Sequence, residues 1–265
     1  MQNTCRSSEI THISSFIPPD WTERASAISD LYTWAEKNVT KCNGCDELSK
    51  ITITSDGEDY LLPCPVFTDS CKYGETQKVK AKTQAIESLR DVVPRNIAHN
   101  LQKPRQTMAL MQARNWNMNG ILYLYGDTGK GKSFAAAWIL YNHKLQQFLK
   151  NLRFPMMWNA KADSIAWMSA YRAVSDKLYI NTCCYSSLLV LDDLGEEVNT
   201  PSTKATISEI INERYNRNSI TIITSNLSMT DIESRYSKRV QERLANKSTT
   251  TIVQCLGENQ RINSD

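Results

Sequence analysis

The sequence predicts an α/β domain, a parallel sheet layered between helices, preceded by a small helical module that carries cysteines. Three observations predict it. From about residue 107, short apolar runs alternate with longer stretches of helical periodicity. A glycine-rich turn of phosphate-binding pattern joins the first such run to the first such helix. Ahead of both, four cysteines fall within one turn-rich segment.

A chain of 265 residues with 41% hydrophobic content fits one medium domain plus a small one. The net charge of +3 does not announce a nucleic-acid binder. Charge is unevenly spread, however. Residues 46–69 are acidic, whereas 72–105 carry Lys72, Lys78, Lys80, Lys82, Arg90, Arg95, Lys103 and Arg105 against Glu75, Glu87 and Asp91. Such a strip either tracks phosphates or is a solvated helix face. No apolar run is long enough for a membrane span, and the first residues lack the apolar core of a secretory signal. The expectation is a cytoplasmic protein with no membrane contact, whose cysteines stay reduced.

Three segments are expected: a helical and metal-binding module over 1–75, a basic connector over 76–106 and the α/β domain over 107–265. Residues 20–40 space Ala25, Ile28, Leu31, Tyr32 and Ala35 as one helix face, with Asp20 placed to cap it. Cys42 and Cys45 form a C-x₂-C knuckle, and Cys64 and Cys71 complete a set of four thiolates that suits structural zinc. The second pair is looser than that pattern requires; scattered free thiols are the alternative. Cys5, Cys183, Cys184 and Cys255 lack such spacing.

Strands are expected over 121–125, 154–158, 188–191, 220–224 and 251–253, with helices over 133–150, 163–177, 203–216 and 231–245. Gly126, Asp127, Thr128, Gly129, Lys130, Gly131, Lys132 and Ser133 satisfy G-x-x-x-x-G-K-[ST] between an apolar run and an Ala-rich helix opened by Phe134. The glycines let backbone N–H groups curl toward phosphate oxygens, and the helix turns its positive end to the same anion. Lys132 is placed to bridge the terminal phosphates of ATP, and Ser133 to hold Mg²⁺. The run Leu188–Leu191 ends in Asp192 and Asp193. There Asp192 suits Mg²⁺ and Asp193 suits polarising the attacking water. Ser225 and Asn226 end the next strand, so Asn226 either positions that water or makes a turn. Arg239 and Arg243 stand four apart on one helix face, as surface charges or as an arginine offered to a neighbouring subunit.

On the strings GDTGKGKSF, LLVLDDLGEE, ERYNRNSITIITSNLS and RYSKRVQERL, the chain resembles the DnaC/IstB branch of the AAA+ ATPases, which includes replicative helicase loaders. The resemblance covers roughly 90–262. It implies sheet order 5-1-4-3-2 and no C-terminal helical lid. It also implies Asn226 as first sensor, Arg239 and Arg243 in the finger-bearing motif, and Arg261 where the family has an arginine after its last strand. The implied activity is ATP hydrolysis that loads a hexameric replicative helicase onto single-stranded DNA. Self-association would run through the ATPase domain, the N-terminal module would grip the helicase, and Lys78, Lys80, Lys82, Arg95 and Lys103 would contact the strand. An IstB-type transposition helper and a DNA-binding adaptor with a regulatory ATP site are the alternatives.

Overall fold

The computed structural model describes residues 30–35, 37–38, 50–55, 58–64, 72–102, 104–153 and 164–260. Two compact units emerge, one of Met1–Ala85 with Leu145–Asn159 and the other of Ile86–Lys144 with Ala160–Asp265.

In the first unit, helix α1 is described over 30–35 and 37–38. Its Leu31 and Ala35 pack with Leu62, Trp34 and Tyr60. An antiparallel hairpin follows, β1 (Lys50–Ser55) against β2 (Glu58–Pro63). The pairing of Ser55 with Glu58 leaves Asp56-Gly57 as the connection, a dipeptide suited to a two-residue hairpin turn. Helix α2 (Lys72–Leu89) runs from the end of the expected module into the first half of the expected connector. Its Ala81, Ala85 and Leu89 recur at four-residue spacing and are buried, which is what turns this polar sequence into a helix face.

The second unit opens with two short helices, α3 (Arg95–Ala98) and α4 (Met108–Ala113), the latter capped by the Thr107 hydroxyl. Next come β3 (Ile121–Tyr125), α5 (Lys132–Arg153), of which the residues from Leu145 on fall in the first unit, β4 (Ile165–Ser169), α6 (Ala170–Ala173) and α7 (Lys177–Tyr185). The remainder is β5 (Leu188–Leu194), α8 (Pro201–Asn216), β6 (Ile220–Ser225), α9 (Met229–Arg235), α10 (Lys238–Leu244) and β7 (Thr250–Gln254).

The sheet is parallel throughout, in the order β4-β5-β6-β3-β7. Numbered within the sheet this is 2-3-4-1-5, the expected order taken from the other edge. One face presents Ile121, Tyr123, Leu189, Leu191 and Ile223 to Ala170, Cys183, Ile207, Ile210, Ile232 and Val240 from helices α6 to α10. Alternation turns Leu122, Leu124, Leu188, Val190 and Ile222 the other way, and they too are buried. Cys183, Cys184 and Cys255 are ordinary buried cysteines.

Two expectations are corrected. The periodicity predicts a helix over 163–177, but the structure places β4 and α6 there. Ala166 and Met168 are buried while Ile165 and Trp167 are half-buried, the alternation of a strand at a sheet edge, and a five-residue apolar run cannot separate that from a helix turn. The strand expected over 154–158 lies outside the described residues. The helix expected over 231–245 is two helices, because Ser237 adopts extended backbone and caps α10 with its hydroxyl. Among the described residues, no helix is long and apolar enough to cross a membrane.

Arg214 ties the helical layer to the sheet. Its guanidinium is buried and donates to the carbonyls of Cys183, Ser186 and Ile220 and to the Thr221 hydroxyl at 2.7–2.9 Å. Burial draws its pKa down to about 10. Replacing Arg214 by Met strands those acceptors, and the expected loss is about 3 kcal/mol or more in urea unfolding. Arg214→Lys, with one compact ammonium, is expected to recover little of it. A wild-type midpoint for Arg214→Met would remove this staple from the account.

Candidate nucleotide site

Strand order places the site. β6 lies between β3 and β5, with Tyr125 and Leu194 both in register with Ser225. The turn after β3, the acidic end of β5 and Asn226 after β6 therefore emerge side by side at the carboxyl edge of the sheet, where ligands of such folds sit. The Gly126 N–H donates to the Ser225 carbonyl at 3.2 Å, stitching the first turn residue to β6. Gly126 has φ +141, and a Cβ there would stand 2.5 Å from the Cys255 carbonyl oxygen. Gly129 has φ +85 and is packed against the Asn259 side chain. Neither position admits a side chain without a shift.

A cavity of about 730 Å³ opens at this edge. It is lined by Thr128 through Phe134, Asp192, Asp193, Glu196, Asn226 and Gln260, with Pro94, Asn96 and Ile97 on a further wall. Lys132 is 6% exposed. Its ammonium donates to the carbonyls of Gly126 at 2.6 Å and Asp127 at 2.8 Å, and to Asn226 Oδ1 at 2.9 Å. Desolvation lowers its pKa, opposed by Cys255, Asp193, Asp127 and Asp192.

The acidic pair is shaped by a bulge. Leu191 faces Ile223 and Leu194 faces Ser225, so Asp192 and Asp193 together oppose Thr224 alone. The Thr224 hydroxyl accepts from the Asp193 N–H at 2.9 Å and donates to Asp192 Oδ1 at 2.6 Å. Asp193 takes φ +55, a backbone state that non-glycine residues seldom hold without support. One carboxylate is thereby buried and the next is exposed into the cleft. Asp192, 7% exposed, has its pKa raised by burial, with hydrogen bonds from Thr224 and Ser133 pulling the other way. The hydroxyl of Ser133 and the carboxylate of Asp192 thus adjoin at the cavity. Hard oxygen donors of this kind fit magnesium.

Asn226 is oriented from both ends. Its Oδ1 accepts from Lys132, and its Nδ2 donates to Glu196 Oε1 at 3.1 Å. Glu196 is not singled out by sequence; two acids follow Gly195, and only the folded chain shows that Glu196 enters the cleft and Glu197 is buried. Thr224, Asn259 and Gln260 were missed too. The Gln260 N–H donates to the Gly129 carbonyl at 2.9 Å, and Lys130 donates to the Gly257 carbonyl, so the segment after β7 lines the outer side of the turn.

The arginines stand apart from this cavity. Arg243 donates to Asn212 Oδ1 and lies 5.2 Å over the Tyr215 ring, so helix α8 holds it within the chain. Arg239 is exposed and, among the described residues, makes no hydrogen bond or ion pair. Arg261 lies outside the described residues. Of the four cysteines, Cys64 follows β2 and is buried, while Cys42, Cys45 and Cys71 lie outside the described residues. Among the described residues, no group of three or more His, Cys, Asp or Glu is arranged to hold a metal ion. Lys80, Lys82 and Arg95 are exposed and Lys78 is half-buried; Lys103 lies outside the described residues.

No family model matches the chain, and no curated protein matches it. Among solved structures, the DnaC helicase loader is similar at 20% identity and TM-score 0.47, over 62% of this chain and 100% of that one. DnaI is similar at 21% identity and TM-score 0.44, over 64% of this chain and 94% of that one. AMPPCP-bound DnaA from Aquifex aeolicus is similar at 15% identity and TM-score 0.39, over 62% of this chain and 45% of that one. The fold described above rests on strand order and register rather than on these likenesses.

The raised pKa of Asp192 has a measurable sign. The folded chain holds this proton more tightly than the unfolded chain, whose value is near 3.8. Stability therefore falls as pH rises from there through the folded value, and the penalty stands in full above it. Asp192→Asn is expected to melt at or above the wild-type temperature at neutral pH, with the gap closing near about pH 4. A markedly lower neutral-pH melting temperature for Asp192→Asn would contradict the burial penalty.

Proposed function

We propose that the chain is a magnesium-dependent ATPase of the AAA+ class that loads a replicative DNA helicase. The reading is carried by one observation: Lys132, Asn226, Asp192, Asp193 and Glu196 converge on a single cavity floored by the glycine-rich turn. That cavity has room for a nucleoside triphosphate. Backbone N–H groups of residues 126–133 cradle the phosphates, and Lys132 exchanges its carbonyl acceptors for phosphate oxygens. Pro94 and Ile97 offer apolar contact to the base. Ser133 and Asp192 hold magnesium, which when bound neutralises charge on the phosphate oxygens. Asp193, free of the buried layer, polarises the attacking water, and Asn226 fixes its position.

The choice of a helicase as partner rests on the ordered set of DnaC/IstB-like strings, above all Asp192-Asp193-Leu194-Gly195 and Ser225-Asn226-Leu227. On this reading the N-terminal module over 1–75 grips the helicase, and Cys42, Cys45, Cys64 and Cys71 hold one structural zinc. The basic strip that includes Lys80, Lys82 and Arg95 follows the backbone of single-stranded DNA. Subunits associate through their ATPase domains, and Arg239 is the residue offered across the interface. Its exposure, and the absence of bonds to it among the described residues, suit that role, whereas Arg243 is engaged by Asn212 and Tyr215.

ATP turnover in the presence of single-stranded DNA, with co-purification of a hexameric helicase, tests the reading as a whole. Lys132→Ala is expected to lose ATP retention in equilibrium binding. Arg239→Ala is expected to keep ATP but lose turnover by about 10³-fold or more. Arg243→Ala is expected to lose stability, measured as a lower melting temperature, since it breaks contacts to α8. Full turnover in both arginine variants would end the trans assignment. Metal analysis of the purified chain is expected to find close to one zinc per chain, and Cys42→Ser to abolish it; a metal-free wild type would end the zinc assignment.

A further inference from the structure

The proposed mechanism leaves one buried charged cluster unused. Glu197 is 3% exposed and lies directly after Glu196. Its Oε2 accepts from the Gly195 N–H at 3.0 Å, while its Oε1 accepts from Arg235 Nη2 at 3.0 Å and from the Tyr236 hydroxyl at 2.7 Å. Arg235 Nη2 donates in addition to the carbonyls of Gly195, at 3.2 Å, and of Glu197. One short turn is thus pinned to the last residues of α9. Arg235 places all of this on Nη2, while its buried Nε finds no acceptor among the described residues. An incompletely satisfied, half-buried guanidinium is an arrangement that a small shift of the turn can change.

The same turn touches the nucleotide cavity on its other side. Glu196 Oε1 accepts from Asn226, whose Oδ1 accepts from Lys132, and the Glu196 N–H donates to the Asp193 carbonyl at 3.1 Å. Just upstream the backbone is left-handed at Asp193 (φ +55) and at Gly195 (φ +106). Just downstream of Tyr236, Ser237 caps α10, and Arg239 stands in that helix's first turn. Two adjacent carboxylates therefore grip the cavity and the root of the arginine-bearing helix.

We propose that Glu197 is a positioning residue: with Arg235 and Tyr236 it transmits the state of the Glu196–Asn226 contact to α10 and so sets the pose in which Arg239 is presented to a neighbouring subunit. A purely structural ion pair would support the fold of its own subunit without regard to which subunit donates the arginine. A positioning pair acts on the neighbour's site. The inference rests on Arg239 acting in trans, as proposed above.

Full-length chains mixed in equal amounts separate the two ideas. One parent, Asp193→Asn, keeps its arginine and loses its own hydrolysis; the other, Arg239→Ala, keeps its site and lacks the arginine. Each parent alone is expected to be inactive and the mixture to recover turnover. Adding Glu197→Gln to the Asp193→Asn parent, the arginine donor, is expected to cut the recovered turnover on the order of tenfold or more. Adding it to the Arg239→Ala parent is expected to leave recovery within about twofold, with ATP affinity unchanged in both. Tyr236→Phe, which removes one hydroxyl and keeps the ring, is expected to show the same asymmetry at smaller size. Equal loss from either placement, or no loss from both substitutions, overturns the proposal. A control mixture that recovers nothing overturns the trans reading itself, and the proposal with it.

Discussion

Everything at the cavity depends on β6 lying between β3 and β5. A parallel strand inserted there brings three carboxyl-terminal strand ends into line, and each end carries a different chemistry: a backbone cradle, a carboxylate pair and an amide. β6 also supplies the bond that shapes its neighbour. Thr224 faces two residues of β5 at once and satisfies both, accepting from one N–H and donating to one carboxylate. Without that hydroxyl the bulge would leave a buried acceptor and an unusual backbone angle without support. The central strand is therefore both a spacer and the scaffold of the acidic pair.

Opposed electrostatic shifts follow from this geometry. Lys132 is drawn toward its neutral form by burial and Asp192 toward its protonated form by the same cause, although each lowers the other's penalty. A cleft of this kind is costly by itself and becomes favourable when it encloses an anion and a cation together. The loop carbonyls and Asn226 occupy Lys132, and Thr224 and Ser133 occupy Asp192, so both charges are held in place rather than collapsed onto each other. Such preorganisation is what a phosphate-handling site requires.

Much of this was legible because the carriers are contiguous strings. The phosphate turn encodes its own curvature through its glycines, and the acidic pair announces itself by following four apolar residues. Asn226 was readable for the same reason. Glu196, Thr224 and Gln260 were not, because their roles arise from tertiary structure: the turn after β5 brings Glu196 to Asn226, strand pairing decides that Thr224 meets Asp192, and only the course of the chain after β7 brings Gln260 to Gly129. The error over 163–177 has a different origin. Ala166 and Met168 satisfy helical spacing as well as strand alternation, and tertiary context chose the strand. The β1–β2 hairpin, by contrast, has a local sequence signal in the dipeptide Asp56-Gly57 between its strands. Separating Arg239 from Arg243 needed the packing of α8, which no spacing on α10 reveals.

Parity explains why the coupling residues are neighbours. In an unbroken strand successive side chains alternate between faces, so two adjacent carboxylates cannot both serve one side. Asp192 and Asp193 sit at the bulge, and the backbone is left-handed at Asp193 and Gly195. Asp192 is thus buried while Asp193 opens to the cavity; Glu196 opens to the cavity while Glu197 is buried against α9. The four acids form two inward-outward pairs along one short segment. The outward members are exposed at the cavity, and the backbone between them is held by the inward members. Of the inward members, Asp192 is anchored to the sheet through Thr224, whereas Glu197 is anchored to the helix end that leads into α10. Of the two, Glu197 alone links this segment to the helical side, where Arg239 and Arg243 stand.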